Sequence, residues 1–283
     1  MRIDHLNAYL TGGAAVAARR LHHGLLADGV ESRFWFSGDS GGRRDSAPDA
    51  SYRQIAWGMP PIWDVLRFGP SAIRWGWERG LRTYYRRGGA VRPGMYNGPI
   101  RPYPTPFAPT DRLPDLLHLH WVSRIIDYRS FFSSLPAGLP LVWTLHDMQP
   151  LTGGCHHAHD CDRFRQTCGN CPALGRPGYH DLSFRDHGIK KSALAGRVIH
   201  VVTPSRWLEN QARASGILSS NCTFQTIRNG IDLTDFQPLE KRAARQQLGL
   251  PEDRLLIGYG ADSLNNKPKG IEEFLRAISQ LPS

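Results

Sequence analysis

The chain has 283 residues, of which 40% are hydrophobic, and this indicates a globular protein with one large domain or about two ordinary ones. A run of about 18 apolar residues, which a transmembrane helix requires, is not found, and the N-terminus lacks a signal-peptide pattern, so we expect a cytoplasmic protein. The net charge of +10 favours anionic partners such as nucleic acid, phosphorylated small molecules or an acidic membrane face, although it also fits a role in solubility alone.

The N-terminal residues follow the pattern of a strand, a helix and a second strand. Arg2–Leu6 predicts the first strand, Ala14–Asp28 the helix and Glu31–Phe36 the second strand. Gly29 is expected to end the helix, because glycine adopts the left-handed conformation at low cost. The spacing of the small and apolar residues predicts a buried helix face formed by Ala14, Ala17, Ala18, Leu21 and Leu25.

Gly12 and Gly13 directly precede this helix, where free backbone N–H groups and the helix dipole favour an anion. A dinucleotide site is excluded, because the G-x-G-x-x-G fingerprint is absent and no acidic residue follows the second strand at the required distance. Two interpretations of the glycine pair stay open, namely contact with a phosphate or sugar and a plain tight turn.

Residues 57–90 are rich in tryptophan, tyrosine and arginine, whereas residues 37–56 predict a polar loop with one further short strand. Indole rings and guanidinium groups together suit a lipid headgroup interface, so we predict contact with an anionic membrane surface on the inner face of the plasma membrane. One alternative is that the aromatic side chains pack on the domain core. Stacking on single-stranded nucleic acid is disfavoured, because no recognised nucleic-acid-binding module surrounds the segment.

Two later strands end in ionisable side chains. Asp115–Trp121 predicts a strand with a histidine at its tip, and Leu141–Leu145 predicts a buried strand followed directly by a His-Asp pair. Ligands of α/β sheets bind at the carboxyl ends of the strands, so these tips are candidate walls of a site. His118 lies inside the apolar part of its strand and is interpreted as structural. The candidate catalytic residues are His120, His146 and Asp147.

The remaining elements continue the alternation of strands and helices, which predicts an α/β, Rossmann-like, doubly wound parallel sheet. Ser205 is expected to cap the helix that follows it. We predict one domain over residues 1–236, followed by a linker and the beginning of a second α/β domain over residues 237–283. The further predicted helices lie at 127–135, 184–195, 240–248 and 271–281, and the further strands at 198–203, 224–228 and 254–260.

Four of the five cysteines lie within 17 residues, with the spacing C-x5-C-x6-C-x2-C. Clustered cysteines in a cytosolic chain are more often metal ligands than disulfides, and the final C-x-x-C is the usual half of a tetrahedral thiolate site. We predict a structural zinc ion, with an iron–sulfur cluster and metal-free or redox-active thiols as alternatives. His156, His157 or His159 are candidate substitutes for one cysteine, and Cys222 is interpreted as a small core residue. The predicted ligands are Cys155, Cys161, Cys168 and Cys171.

Several stretches of the sequence resemble the family 4 glycosyltransferases, and colanic-acid-type exopolysaccharide transferases in particular. The combination of TLHD, TGGC and CGNCP between residues 144 and 172 is specific to that group, whereas the other stretches are general to the fold. The matching stretches are Gly12-Gly13, DLLHLHWVS at 115–123, WTLHDMQPLTGGCHH from 143 with the cysteines through CGNCPAL, VVTPSRWL at 201–208, RNGIDLTDF at 228–236 and IGYGADSLNNKPKG at 257–270.

This resemblance implies the N-terminal domain of a two-domain GT-B fold. It also implies retaining transfer of a sugar, without a catalytic metal, from a UDP- or GDP-linked nucleotide sugar to a saccharide or polyprenyl-linked acceptor. His120 would lie beside the reacting sugar, with His146 and Asp147 at a second strand tip. The departing diphosphate needs positive charge and N–H donors, and the acceptor hydroxyl needs oriented acceptors. The substrate-binding residues that the resemblance implies are Gly12, Gly13, Trp121, Ser205 and Lys269.

The sequence departs from the family pattern in the region of the second domain. Many relatives carry an arginine six residues before Lys269, where Ser263 stands here, and Pro268 interrupts the usual basic pair. The remainder of the nucleotide-binding half, including a Glu-x7-Glu pair, is not found. We therefore expect a truncated transferase that turns over little or nothing by itself. The alternative is a non-catalytic module that docks an acceptor or a membrane.

Overall fold

The computed structural model describes residues 1–37, 39–40, 43–44, 46–55, 73, 76–77, 80–85, 96–99, 112–218, 220–261 and 269–281. Most of the aromatic and arginine-rich segment 57–90, together with Ser263 and Pro268, therefore lies outside the described residues. Contacts divide the chain into two units, Met1–Ile231 and Asp232–Ser283, which are described separately. The division falls near the predicted boundary after residue 236, which stays a prediction.

Seven parallel strands form the central sheet of the first unit. They are β1 (Arg2–Leu6), β2 (Glu31–Phe36), β5 (Tyr52–Gln54), β6 (Leu116–Leu119), β7 (Leu141–Thr144), β8 (His200–Thr203) and β9 (Thr223–Thr226), whereas β3 (Asp39–Ser40) and β4 (Arg43–Arg44) form a separate antiparallel pair. The order in the sheet is β5-β2-β1-β6-β7-β8-β9, so the direction of winding reverses between β1 and β6. The predicted α/β, Rossmann-like parallel sheet is confirmed.

Helices connect these strands, and side chains cap several of them. The described helices between the strands include α1 (Gly13–Ala27), α2 (Tyr128–Ser134), α3 (Leu182–Leu194) and α4 (Arg206–Ala214), and residues 80–85 are also helical. Asp127 and Asp181 accept hydrogen bonds from backbone N–H groups in the first turns of α2 and α3. Ser205 caps α4 by accepting from Leu208 N, as predicted. None of the described helices is long and apolar enough to cross a membrane.

The register of the sheet gathers histidines on one face. β1 pairs with β6 so that His5 lies opposite His118, and His120 follows two residues later with its side chain on the same face. Helix α1 covers this face, because the ring of His22 lies 5.8 Å from the ring of His5. The main core is built by apolar residues of the central strands and α2, including Leu117, Leu119, Phe131, Phe132, Leu141, Trp143 and Val201.

The predicted buried face of α1 is confirmed at Ala18 and wrong at Leu21. The helix buries Ala15, Ala18 and His22, whereas Leu21 is exposed. A polar histidine can occupy the buried position because its Nδ1 and Nε2 hydrogen-bond to the hydroxyls of Ser32 and Ser51, at 2.7 and 2.9 Å. The predicted end of the helix is confirmed, since Gly29 adopts a φ of +76°.

The second unit contains two described helices, α5 (Lys241–Gln247) and α6 (Ile271–Ile278). The strand predicted at 254–260 is wrong, because these residues have no regular secondary structure. A strand needs the N–H and C=O groups of a neighbouring strand, and the described part of this unit supplies none. Lys269 follows this segment and directly precedes Gly270, the N-cap residue of α6.

Candidate functional site

The candidate site lies at the carboxyl ends of β1, β6 and β7, where the strand order reverses and a crevice is expected. Asn7 follows β1, and its Oδ1 accepts a hydrogen bond of 2.8 Å from the backbone N–H of Trp121, which follows β6. The N–H of Ala8 donates to the carbonyl oxygen of Trp121, also at 2.8 Å. These bonds hold the ends of β1 and β6 together beside the tip of β7.

Asp147, at the tip of β7, receives hydrogen bonds from three parts of the chain. Its Oδ2 accepts from Trp121 Nε1 at 2.7 Å and lies 2.6 Å from His156 Nδ1, and its Oδ1 accepts from Gln149 N at 2.8 Å. Burial raises the pKa of Asp147, but the hydrogen bond and charge of His156 and the bonds from Gln149 and Trp121 outweigh it, so that the pKa is lowered. A carboxylate held in this way suits positioning of its neighbours better than proton abstraction.

His156 extends this arrangement into the cysteine loop. Its Nε2 lies 2.7 Å from Asn97 Nδ2, and its ring stacks on Trp121 with 5.5 Å between the ring centroids. Both ring nitrogens are therefore engaged, which leaves His156 unavailable as the zinc ligand that the sequence allowed. Asn97 precedes the loop by more than 50 residues, and the sequence carries no pattern that connects the two.

Three histidine rings form a hydrogen-bonded row that leads to the strand tip. His5 Nδ1 lies 3.0 Å from His120 Nε2, and His120 Nδ1 lies 3.4 Å from His146 Nε2. His120 is only 3% exposed, and both of its ring nitrogens are used within the row. The predicted position of His120 at the tip is confirmed, but its ring faces other histidines. His146 is the half-buried member of the row and the one able to meet a ligand.

Burial keeps these histidines neutral near pH 7. Desolvation lowers the pKa of His5 and His120 far below the usual 6.5, and the neighbouring histidines lower it further. Burial also lowers the pKa of His146 to about 4, although the charge of Asp147 opposes the shift. Each ring therefore carries one proton, so it can act as a donor at one nitrogen and an acceptor at the other.

His118 lies beside this row without belonging to it. Its Nε2 bonds to Thr144 Oγ1 at 2.8 Å, and its ring stacks on His120 at 4.2 Å. This structural role agrees with the prediction for His118. Within the described ranges, the group of potential metal ligands whose atoms all lie within 4.8 Å of one another is His5, His118 and His120. The 3.0 Å bond between His5 and His120 accounts for this proximity without a metal.

The remaining predicted site residues are less closely connected to this cluster. Gly12 and Gly13 are exposed at the N-terminus of α1, and no atom would meet a Cβ added at either one. Ser205 lies near the end of β8, on the same edge of the sheet, and its hydroxyl is used in capping. Lys269 belongs to the second unit.

The four clustered cysteines line one small cavity. Its volume is about 20 Å³, and Cys155, Cys161, Cys168 and Cys171 all contribute to its wall. Space of this size holds a single small ion or water. Among the described residues, no three of the cysteine sulfurs all lie within 4.8 Å of one another. A tetrahedral zinc–thiolate site, with sulfur separations of about 3.8 Å, would therefore require the loop to contract.

Four-thiolate coordination in the loop requires a metal ion to displace the protons of buried thiols. Burial raises the pKa of Cys168 to about 12 and of Cys171 to about 11, so these thiols stay protonated unless a cation replaces the protons. The N–H of Gly153 donates to Cys168 Sγ at 3.2 Å, a contact that stabilises a thiolate. A Cβ at Gly154 would lie 2.7 Å from the ring of Tyr96, so the glycine permits the close packing of the loop.

A buried lysine fixes the start of this loop. Lys190 of α3 is fully buried, and its Nζ donates to the carbonyl oxygens of Gln149 and Thr152, the latter at 2.9 Å. Burial lowers the pKa of Lys190 to about 8, against the opposing charge of Asp186. The sequence did not indicate this role, because a lysine within a predicted helix is normally placed on the solvent face.

Comparison with known proteins shows similarity to a curated glycosyl transferase. The chain is 25% identical over 265 residues to a putative colanic acid biosynthesis glycosyl transferase, WcaC, of Escherichia coli (strain K12), covering 88% of this chain and 61% of that protein. The resemblance to glycosyltransferases of exopolysaccharide synthesis is thereby confirmed. The chain spans less than two thirds of the length of that relative. No family profile matches the chain.

Among solved structures, the chain resembles the crystal structure of WaaG, a glycosyltransferase involved in lipopolysaccharide biosynthesis. The TM-score is 0.46 and the sequence identity is 15%, and the match covers 100% of this chain and 60% of the other.

Proposed function

We propose that the first unit is the acceptor-side domain of a retaining glycosyltransferase of polysaccharide synthesis. The transferase would move a sugar from a UDP- or GDP-linked donor to a saccharide or polyprenyl-linked acceptor. The observation that carries this proposal is the polar cluster at the carboxyl ends of β1, β6 and β7, at the switch point of the sheet. The parts of this cluster at 115–123 and 143–157 lie in stretches that resemble the glycosyltransferase family.

The residues of the cluster divide into a contact group and a support group. His146 would meet an oxygen of the bound sugar, because it is half-buried and its Nδ1 has no hydrogen bond within the described ranges. Asp147 would hold Trp121 and His156 in place through its bonds to both. The exposed N-terminus of α1 at Gly12 and Gly13 would offer backbone N–H donors to an anionic group of a substrate. Lys269 of the second unit is kept as a separate candidate for binding the donor diphosphate.

A structural zinc ion in the cysteine loop completes the proposal. Cys155, Cys161, Cys168 and Cys171 would hold it and leave no position for water or substrate. Such an ion would fix the loop that carries His156, and through it Asp147. Chemistry at the sugar then depends on the side chains of the cluster.

Replacing His146 with alanine is expected to weaken saccharide binding about tenfold or more, since it removes a hydrogen bond to the ligand worth ~1.4 kcal/mol. Titration calorimetry with a panel of neutral and acidic disaccharides measures the change. His200→Ala is the matched control, because His200 is an exposed histidine at the opposite end of a strand in the same sheet. Equal loss in both variants, or no saccharide binding by the wild-type chain, would contradict the proposal.

The segment 57–90 is proposed to dock on an anionic membrane from the cytoplasmic side. Its described part is helical at 80–85 and exposes Ile73, Trp77 and Tyr84, with Trp77 68% exposed. We expect Trp77→Ser to reduce sedimentation with phosphatidylserine vesicles severalfold, with binding that weakens as salt is raised. Trp207→Ser is the control, since Trp207 is 59% exposed on α4. Equal binding to neutral vesicles would contradict the proposal that charge attracts this segment to an anionic membrane.

A non-catalytic acceptor-docking module is the second candidate function. The observation in its favour is that Asp147 and His120 are both engaged by protein groups, so neither is free to move a proton to a ligand. Both functions require saccharide binding at the cluster. Release of UDP or GDP from a nucleotide sugar, dependent on acceptor and lost in His146→Ala, would separate the enzyme from the binding module.

A further inference from the structure

The row of histidines has a direction that is set at its buried end. Each neutral ring has one N–H and one bare nitrogen, so every bond in the row fixes the next one. If His5 donates from Nδ1, His120 must accept at Nε2 and donate from Nδ1, and His146 must accept at Nε2. We call this arrangement the forward row. If His5 accepts at Nδ1 instead, the donor and acceptor nitrogens of all three rings are exchanged, and we call this the reversed row.

The far nitrogen of His5 decides between these two directions. His5 is fully buried, and its Nε2 has no hydrogen-bond partner among the described residues. In the reversed row this nitrogen would carry a proton with nothing to receive it, and orphaned buried N–H groups are rare in proteins. In the forward row His5 Nε2 carries no proton. The single ring proton is on Nδ1 and is used in the 3.0 Å bond to His120.

The outer end of the row reaches the crevice. His146 is half-buried, and its Nδ1 makes no hydrogen bond within the described ranges. This atom is also not one of the fully buried polar atoms that lack a hydrogen-bond partner. This nitrogen therefore faces solvent at the strand tip. In the forward row it carries the proton of the ring, which is the opposite of the Nε2–H form that an imidazole side chain prefers in water.

We propose that His120, oriented by His5, is a positioning residue that holds His146 in the Nδ1–H tautomer, so that the strand tip presents an N–H donor to a ligand oxygen. The lowered pKa of all three rings supports this, because each ring stays neutral and the row carries no extra proton. The site is then tuned to recognise a hydroxyl or phosphoryl oxygen as a hydrogen-bond acceptor. Only the identity of that ligand as a sugar rests on the proposed function.

Histidine-selective ¹⁵N NMR of the ligand-free full chain tests this directly, because the shifts of the two ring nitrogens report which one is protonated. We expect a protonated Nδ1 and a bare Nε2 for His146, assigned by the signals that disappear in His146→Gln. His120→Asn places an amide donor where His120 Nδ1 lies and should keep this tautomer. His120→Leu has a similar size without a donor, and should shift His146 toward Nε2–H.

His118→Leu is the matched control, because His118 is buried and stacks on His120, but within the described ranges its hydrogen bond goes to Thr144. It should leave the His146 signals unchanged. His5→Asp offers an acceptor to His120 Nε2 and should reverse the row, giving a bare Nδ1 on His146. A wild-type His146 with protonated Nε2, or an unchanged tautomer in a folded His120→Leu protein, would overturn the proposal. Failure of saccharide binding would leave these spectra unaffected, so the two proposals can fail separately.

Discussion

Replacing Cys171 with serine is expected to abolish metal binding and to lower the free energy of unfolding by several kcal/mol. The purified wild-type chain should carry about one zinc ion, because four thiols surround one ion-sized cavity. Without the ion, the loop at 155–171, which includes the short 3-10 helix Arg163–Arg165, loses the link between its four cysteines. Elemental analysis and urea unfolding, with and without a chelator, measure both effects.

Cys222→Ser is the control for this prediction. Cys222 is the fifth free cysteine, packs at the edge of the main core and lies far along the chain from the loop. Its replacement should leave the metal content unchanged. A wild-type protein that contains neither zinc nor iron, and that is no more stable than Cys171→Ser, would show that the cysteine loop holds no structural metal.

Lowering the pH from 7 to 5 is expected to destabilise the first unit strongly. Burial lowers the pKa of His118 to about 3 and of His146 to about 4, and lowers those of His5 and His120 as well. The unfolded chain takes up protons below about pH 6.5, whereas the folded chain does not. The stability is therefore complete above that pH and declines toward pH 4, by about 2 kcal/mol at pH 5 for each fully buried histidine.

Urea unfolding followed across pH 5 to 7.5 measures this slope, with a chelator present throughout so that loss of zinc does not contribute. His118→Gln should reduce the slope by about one proton, because one buried titrating group is removed. His180→Gln should not change it, since His180 is exposed in the folded chain. A free energy of unfolding that is the same at pH 5 and pH 7 would show that the histidines are not buried as the structure has them.

The sequence predicted the parts of the fold that depend on local pattern. Apolar strands, the cap at Ser205 and the tips at His120 and His146 follow from residue type and spacing, and the structure places them as expected. The prediction of a strand at 254–260 was wrong because a strand depends on hydrogen bonds to a neighbouring strand. The apolar pattern of 254–260 could not show that the described part of the second unit contains no such neighbour.

The connections within the site could not be predicted in the same way, because they join residues far apart in the chain. His5 contacts His120 across 115 positions, and this bond depends on the register of β1 against β6. A signal was present, since His5 and His118 both stand on short strands at positions that can share a face. Which side of α1 is buried depended on Ser32 and Ser51, hydroxyl partners that no helical periodicity reveals.

A saccharide is expected to bind at the strand ends around His146 and Asp147. The most direct measurement is an NMR titration that follows the indole N–H of Trp121, which donates to Asp147 Oδ2, together with the ring nitrogens of His146. Saccharides from the disaccharide panel should shift both sets of signals in a saturable way, while the indole signal of Trp207 stays fixed. Saturable binding that leaves Trp121 and His146 unshifted would place the saccharide elsewhere and contradict the account.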